Sequence, residues 1–76
     1  MRYKIDHPHV KADLIAENDA EAIFEANRVI VANHWPKGEY VLFCKGESFS
    51  TAIAILSRTD GFTSIQIPDE IALEEV

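Results

Sequence analysis

One long segment with helical periodicity, Asp19 to His34, stands between runs whose apolar residues alternate, and this restricts the chain to a mixed α and β architecture. At a helical advance of about 100° per residue, Ala22, Val29, Ala26, Ile30, Ile23, Ala20, Val31 and Phe24 fall within an arc of roughly 200°. Glu21, Arg28 and Glu25, with Ala32 among them, make the polar face. A surface helix needs an apolar stripe little wider than ~100°. Phe24 and Val31 at one border and Val29 at the other are therefore expected to look away from the core. Asn18 or Asp19 can accept the orphan amide hydrogens of the first turn, and Asp19 and Glu21 lie where the helix dipole favours negative charge. The helix is expected to end near Trp35, since Pro36 disfavours helical geometry in the residue before it and Gly38 suits a turn.

Two strands are expected before the helix. Arg2 to Asp6 places Tyr3 and Ile5 on one side, and Val10 to Glu17 places Val10, Ala12, Leu14 and Ala16 on one parity with Lys11, Asp13, Ile15 and Glu17 on the other. Three more follow it. Glu39 to Lys45 is apolar on both parities, with Tyr40, Leu42 and Cys44 on one and Val41 and Phe43 on the other. After the loop Lys45-Gly46-Glu47-Ser48, Phe49, Thr51, Ile53 and Ile55 oppose Ala52, Ala54 and Leu56. Thr59-Asp60-Gly61 signals a hairpin into a last strand carrying Thr63, Ile65 and Ile67 on one side, which Pro68 ends. Residues 69–76 read as a helical turn or a flexible acidic tail, with Ile71 and Leu73 against the domain.

The reading is one α+β domain over residues 1–76, β-β-α-β-β-β, with a mainly antiparallel sheet and one helix packed on one face. Its other face is left open. A solvated face of an antiparallel sheet normally reads polar, yet here it is expected to carry Phe43, or Ala52 and Ala54, because the third and fourth strands are apolar on both sides. Contiguous surplus apolar surface of this kind marks protein interfaces.

Composition narrows the function. At 76 residues a single core contributes only ~3–5 kcal/mol without reinforcement, and the one cysteine, Cys44, permits neither an internal disulfide nor a multi-cysteine metal framework. Self-association is the remaining common reinforcement, so a homodimer is expected. Seven basic against thirteen acidic residues give a net charge of -6, and no basic run exists to neutralise a phosphate backbone. Nucleic acid is therefore an unfavoured partner; the alternative retained is a platform of Tyr3, Tyr40 and Phe43 near Lys4 and Lys45. No apolar stretch approaches the ~18 residues of a membrane span, and a cytoplasmic protein is expected.

Chemistry-bearing constellations are sparse. His7 and His9, two apart, are the residues from which a metal site could be built, with Asp6 or His34 completing it, against the plainer reading of two exposed turn histidines. Cys44 in an apolar strand reads as a small buried hydrophobe rather than a nucleophile. The serines lack a nucleophile-elbow context and the glycines form no phosphate loop. Neither an enzyme nor a bound cofactor is expected. Trp35 either closes the core or anchors an interface. The acids Asp13, Glu17, Asp19, Glu21 and Glu25 run without an intervening base and suit a basic surface on a larger protein. The expectation is a small acidic interaction module, a regulator or inhibitor that self-associates and meets a larger, nucleic-acid-processing protein through Phe24, Val31, Trp35, Phe43, Ala52 and Ala54 together with Asp13, Glu17, Glu21 and Glu25.

Overall fold

The computed structural model describes residues 1–60 and 62–67. Five strands, β1 (Arg2–His7), β2 (Val10–Ile15), β3 (Gly38–Lys45), β4 (Ser50–Thr59) and β5 (Phe62–Gln66), form one sheet in the order β2-β1-β3-β4-β5, and the helix α1 (Asp19–Ala32) lies between β2 and β3 in the chain. Every neighbouring pair is antiparallel. Since β2 and β3 both run against β1, they run parallel to one another, and a crossover segment is required to connect them. The helix is that segment. The expected tail at 69–76 lies outside the described residues, and no described helix is long and apolar enough to cross a membrane.

One face of the sheet packs against the helix. Tyr3 and Ile5 of β1, Tyr40 and Leu42 of β3, and Ala54 and Leu56 of β4 are buried against Ala22, Ala26 and Ile30 of α1. Their registers agree: Ile5 opposes Leu42, Leu42 opposes Ala54, and Tyr40 opposes Leu56. The three buried helix residues follow one another at i, i+4, i+8, the spacing that keeps side chains on one face. Val10, Ala12, Leu14, Ile23, Trp35, Ile53 and Ile67 pack around this centre.

Both helix ends are built from local chemistry. The Asn18 side chain accepts the Glu21 amide at 2.8 Å, while the Glu21 carboxylate accepts the Glu17 amide at 2.6 Å, a capping-box arrangement shifted one residue outward. The helix stops at Ala32, three residues before the expected end near Trp35. His34 adopts φ 55, its amide bonds Val31 O at 3.1 Å, and the Trp35 amide bonds Ile30 O at 3.1 Å. These are the two bonds of a Schellman motif, closed by a histidine where glycine is usual. Pro36 and Gly38 are thus downstream of the stop rather than its cause.

Candidate interaction surface

The far face of the sheet is assembled by period-two alternation from the residues that the core leaves out. With Tyr3, Ile5 and His7 turned toward the helix, Arg2, Lys4 and Asp6 face the other way; with Tyr40 and Leu42 inward, Val41 and Phe43 face out. On β4 the alternation breaks. Leu42 opposes Ala54 but Phe43 opposes Ala52, so Ile53 is an extra residue, a β-bulge. It re-aims the strand, placing Ala52 beside Phe43 on the far face while Ala54 stays inside.

This corrects the expected interface. Ala54 has no exposed surface and is core, so a partner cannot reach it, whereas Ala52 is exposed and Phe43 half-exposed. The remaining members of the strip are Val41 and its register partner Ile55. Ile55 was not singled out, because simple alternation assigns it to the side of Ile53 and the inserted residue has no mark in composition. Charges border the strip on its β1 and β2 side. Lys4 Nζ stands 5.4 Å from the Phe43 ring centroid, Lys45 meets Asp13 at 3.1 Å, and Lys11 meets Asp6 at 2.5 Å. The hydrogen bond from Lys11 holds the Asp6 carboxyl below the usual carboxylate range.

The helix follows its expected breadth at one border and not at the other. Phe24 is 65% exposed and Val31 45%, while Val29 at the opposite border is half-buried. Trp35 is half-buried, packs on the core and lies 6.1 Å from the Tyr40 ring, so its main part is closing the domain. The acids do not form one surface. Asp13 belongs to the far face with Lys45, whereas Glu17 and Glu21 are engaged in the helix cap and Glu25 binds Arg28 at 2.7 Å on the helix. Ile15 is the most exposed large apolar side chain among the described residues, at 78%. Its place on the polar parity with Lys11 and Asp13 was the available signal.

The aromatic platform for nucleic acid is dismantled by the fold. Tyr3 and Tyr40 are fully buried on the helix side, leaving Phe43 alone of the three on the far face. The Tyr3 hydroxyl donates to Asp19 Oδ1 at 2.8 Å, and burial, aided by that carboxylate, pushes its pKa up to about 12. Burial likewise raises Tyr40, with Arg58 acting against it, and its hydroxyl donates to Pro36 O.

His7 and His9 do not make a ligand pair. His7 is buried, its Nδ1 accepts the His9 amide at 3.0 Å, and its Nε2 lies 3.1 Å from Lys37 O. An acceptor Nδ1 and an Nε2 that donates to a carbonyl define one neutral tautomer with no lone pair left for a metal. Its ring stacks on Tyr40 at 4.2 Å and 20°. The neighbouring groove of about 700 Å³ is lined by Asp6, His9, Lys11, Lys37, Gly38 and Glu39, and among the described residues no cluster of three or more His, Cys, Asp or Glu is arranged to hold an ion. Cys44 is half-buried on the core side, opposite Tyr3 and Thr51. No protein-family model matches the sequence, no curated protein aligns with it, and no solved structure matches it.

Proposed function

We propose that this chain is a non-enzymatic protein-interaction module that pairs with itself and offers the far face of its sheet to a larger protein as a regulator or inhibitor. The observation that supports the reading is the apolar strip Val41, Phe43, Ala52 and Ile55 at the centre of a sheet face on which no described element packs. A face meant only for water would carry polar residues there. Lys4, Lys45, Asp13, Asp6 and Lys11 border the strip on the β1 and β2 side, and Ser57, Ser64 and Gln66 on the β5 side, which follows interface anatomy in having a less polar centre and a more polar edge. Net charge -6 favours a partner with a basic surface and speeds encounter with it.

Sedimentation of the wild type beside Phe24→Asp and Phe43→Asp tests the self-association half. The expected result is a wild type heavier than its 8.5 kDa chain mass. Capture with wild-type and Phe43→Asp baits tests the other half, the expected result being the same protein bound by the first and lost by the second. A wild type that stays monomeric at high micromolar concentration removes self-association, and equal capture by both baits removes the far face.

A further inference from the structure

We propose that two copies join through the outer edge of β2, its strand pairing antiparallel with itself about a two-fold axis at Ala12. The inference rests on the self-association reading above and names the surface that performs it. β2 ends one side of the sheet, so one row of its backbone N–H and C=O groups has no ladder partner among the described residues. The opposite edge, β5, leads straight into residues outside the description, whereas β2 is joined at both ends to described residues.

Symmetry limits how β2 can meet itself. Antiparallel pairing of the same edge requires an axis normal to the sheet, which puts both helices on one face and makes directly opposed residues share a face. The numbers of opposed residues then add to a constant even sum. A sum of 22 centres the ladder on Lys11 and sets Lys11 against its own copy, with Val10 against Ala12. A sum of 26 centres it on Asp13 and sets two aspartates face to face. Only a sum of 24, centred on Ala12, sets Lys11 against Asp13 of the second copy, and it does so twice. In that register Val10 opposes Leu14, Ala12 opposes Ala12, and the whole span Val10–Leu14 is paired. Unlike charges directly opposed stabilise an antiparallel pair and like charges oppose it, so this strand distinguishes among its own registers.

The side chains are placed for it. Lys11 and Asp13 are exposed on the far face, with side-chain exposures of 67% and 75%, so each has surface left beyond its contact with Asp6 or Lys45. Val10, Ala12 and Leu14 are half-buried on the helix face and already touch the core, so pairing extends that core across the axis. Ile15, 78% exposed, is brought opposite His9 of the second copy at the end of the ladder. The product is a continuous sheet made of two five-stranded halves, closing the edge that solitary sheets must otherwise protect.

Charge reversal separates this geometry from others. Lys11→Asp puts two acids opposite one another and Asp13→Lys two bases, and each raises the dimer dissociation constant at least tenfold in sedimentation equilibrium. The double variant carrying both reversals restores it to within about threefold. That rescue cannot come from contacts within one chain, since in the double variant residue 11 still faces Asp6 and residue 13 still faces Lys45 as like charges. A second measurement uses disulfide capture. Residues opposed across an antiparallel pair have Cα atoms about 4.5 or 5.5 Å apart, inside the range of about 4.4–6.8 Å that a disulfide spans, so Ala12→Cys links to itself faster than Lys11→Cys or Asp13→Cys. A wild-type dimer indifferent to the reversals but dissociated by Phe24→Asp or Phe43→Asp overturns the β2 edge and keeps self-association. A monomer at all concentrations overturns both.

Discussion

Gly38 sits where the loop after the helix enters β3, and substituting alanine there tests how His7 is held. Its φ of +122 is a conformation that L side chains rarely adopt, and a Cβ built on it meets His7 Nε2 at 2.9 Å. The imidazole cannot easily move aside. It is clamped by the His9 amide on Nδ1, by Lys37 O on Nε2 and by the Tyr40 ring stacked at 4.2 Å. The backbone strain of Gly38→Ala costs about 1–3 kcal/mol. Displacing the ring forfeits the bond to Lys37 O, worth about 0.5–1.5 kcal/mol. Together they destabilise by about 2–4 kcal/mol, a large share of what a domain of this size has in hand. Urea unfolding followed by circular dichroism should show the midpoint falling with the slope unchanged. In a His7→Ala background the ring is gone, so Gly38→Ala should cost only the strain part, a coupling of about 1 kcal/mol between the two sites. Gly38→Ala within about 0.5 kcal/mol of wild type, or costs that simply add, would refute the argument.

Three further outcomes follow from the same geometry. Tyr3→Phe removes the hydroxyl that donates to Asp19 Oδ1 at 2.8 Å and should cost about 1–2 kcal/mol, read from the same urea curves. Because the native Tyr3 pKa is raised from 10.0 to about 12, the folded chain keeps a proton that the unfolded chain releases; stability from this group is complete below pH 10 and declines as pH rises toward 12. Tyr3→Phe should flatten that decline, and an unchanged alkaline slope would count against it. His34→Gly relieves a left-handed residue that costs roughly 1–2 kcal/mol, against a glycine entropy cost of about 0.5–1, so it should stabilise by about 0.5–1 kcal/mol and raise Tm by about 2–8 °C. A lower Tm would show that the His34 side chain contributes something the backbone argument omits.

Much of this architecture follows from local rules in the chain. Alternation in Arg2–Asp6 and from Val10 onward, a helix start capped at Asn18 or Asp19, and the recurrence of Ala22, Ala26 and Ile30 all act within a few residues, so they are readable without the fold; the choice of Asn18, the return of the Glu21 carboxylate to Glu17 and the end of β2 at Ile15 were supplied by the structure. The excess breadth of the helix likewise foretold the exposure of Phe24 and Val31. The early end of the helix was not readable in the same way: a Schellman stop usually depends on glycine at the left-handed position, and His34 carries no such signal.

What only tertiary structure decided is which residue of each two-sided strand faces which way. β3 and β4 are apolar on both parities, so their periodicity cannot choose a face; the helix chose it by covering Tyr40, Leu42 and Leu56. The bulge at Ile53 then sent neighbouring alanines to opposite sides, Ala52 outward and Ala54 inward. His7 was decided at longer range still, because its two hydrogen-bond partners, His9 and Lys37, lie on separate loops that only the β1–β3 pairing brings together. Composition and period determined that this chain folds as α+β with apolar surface to spare. Pairing across the sheet, which depends on residues far apart in sequence, determined where that surface lies.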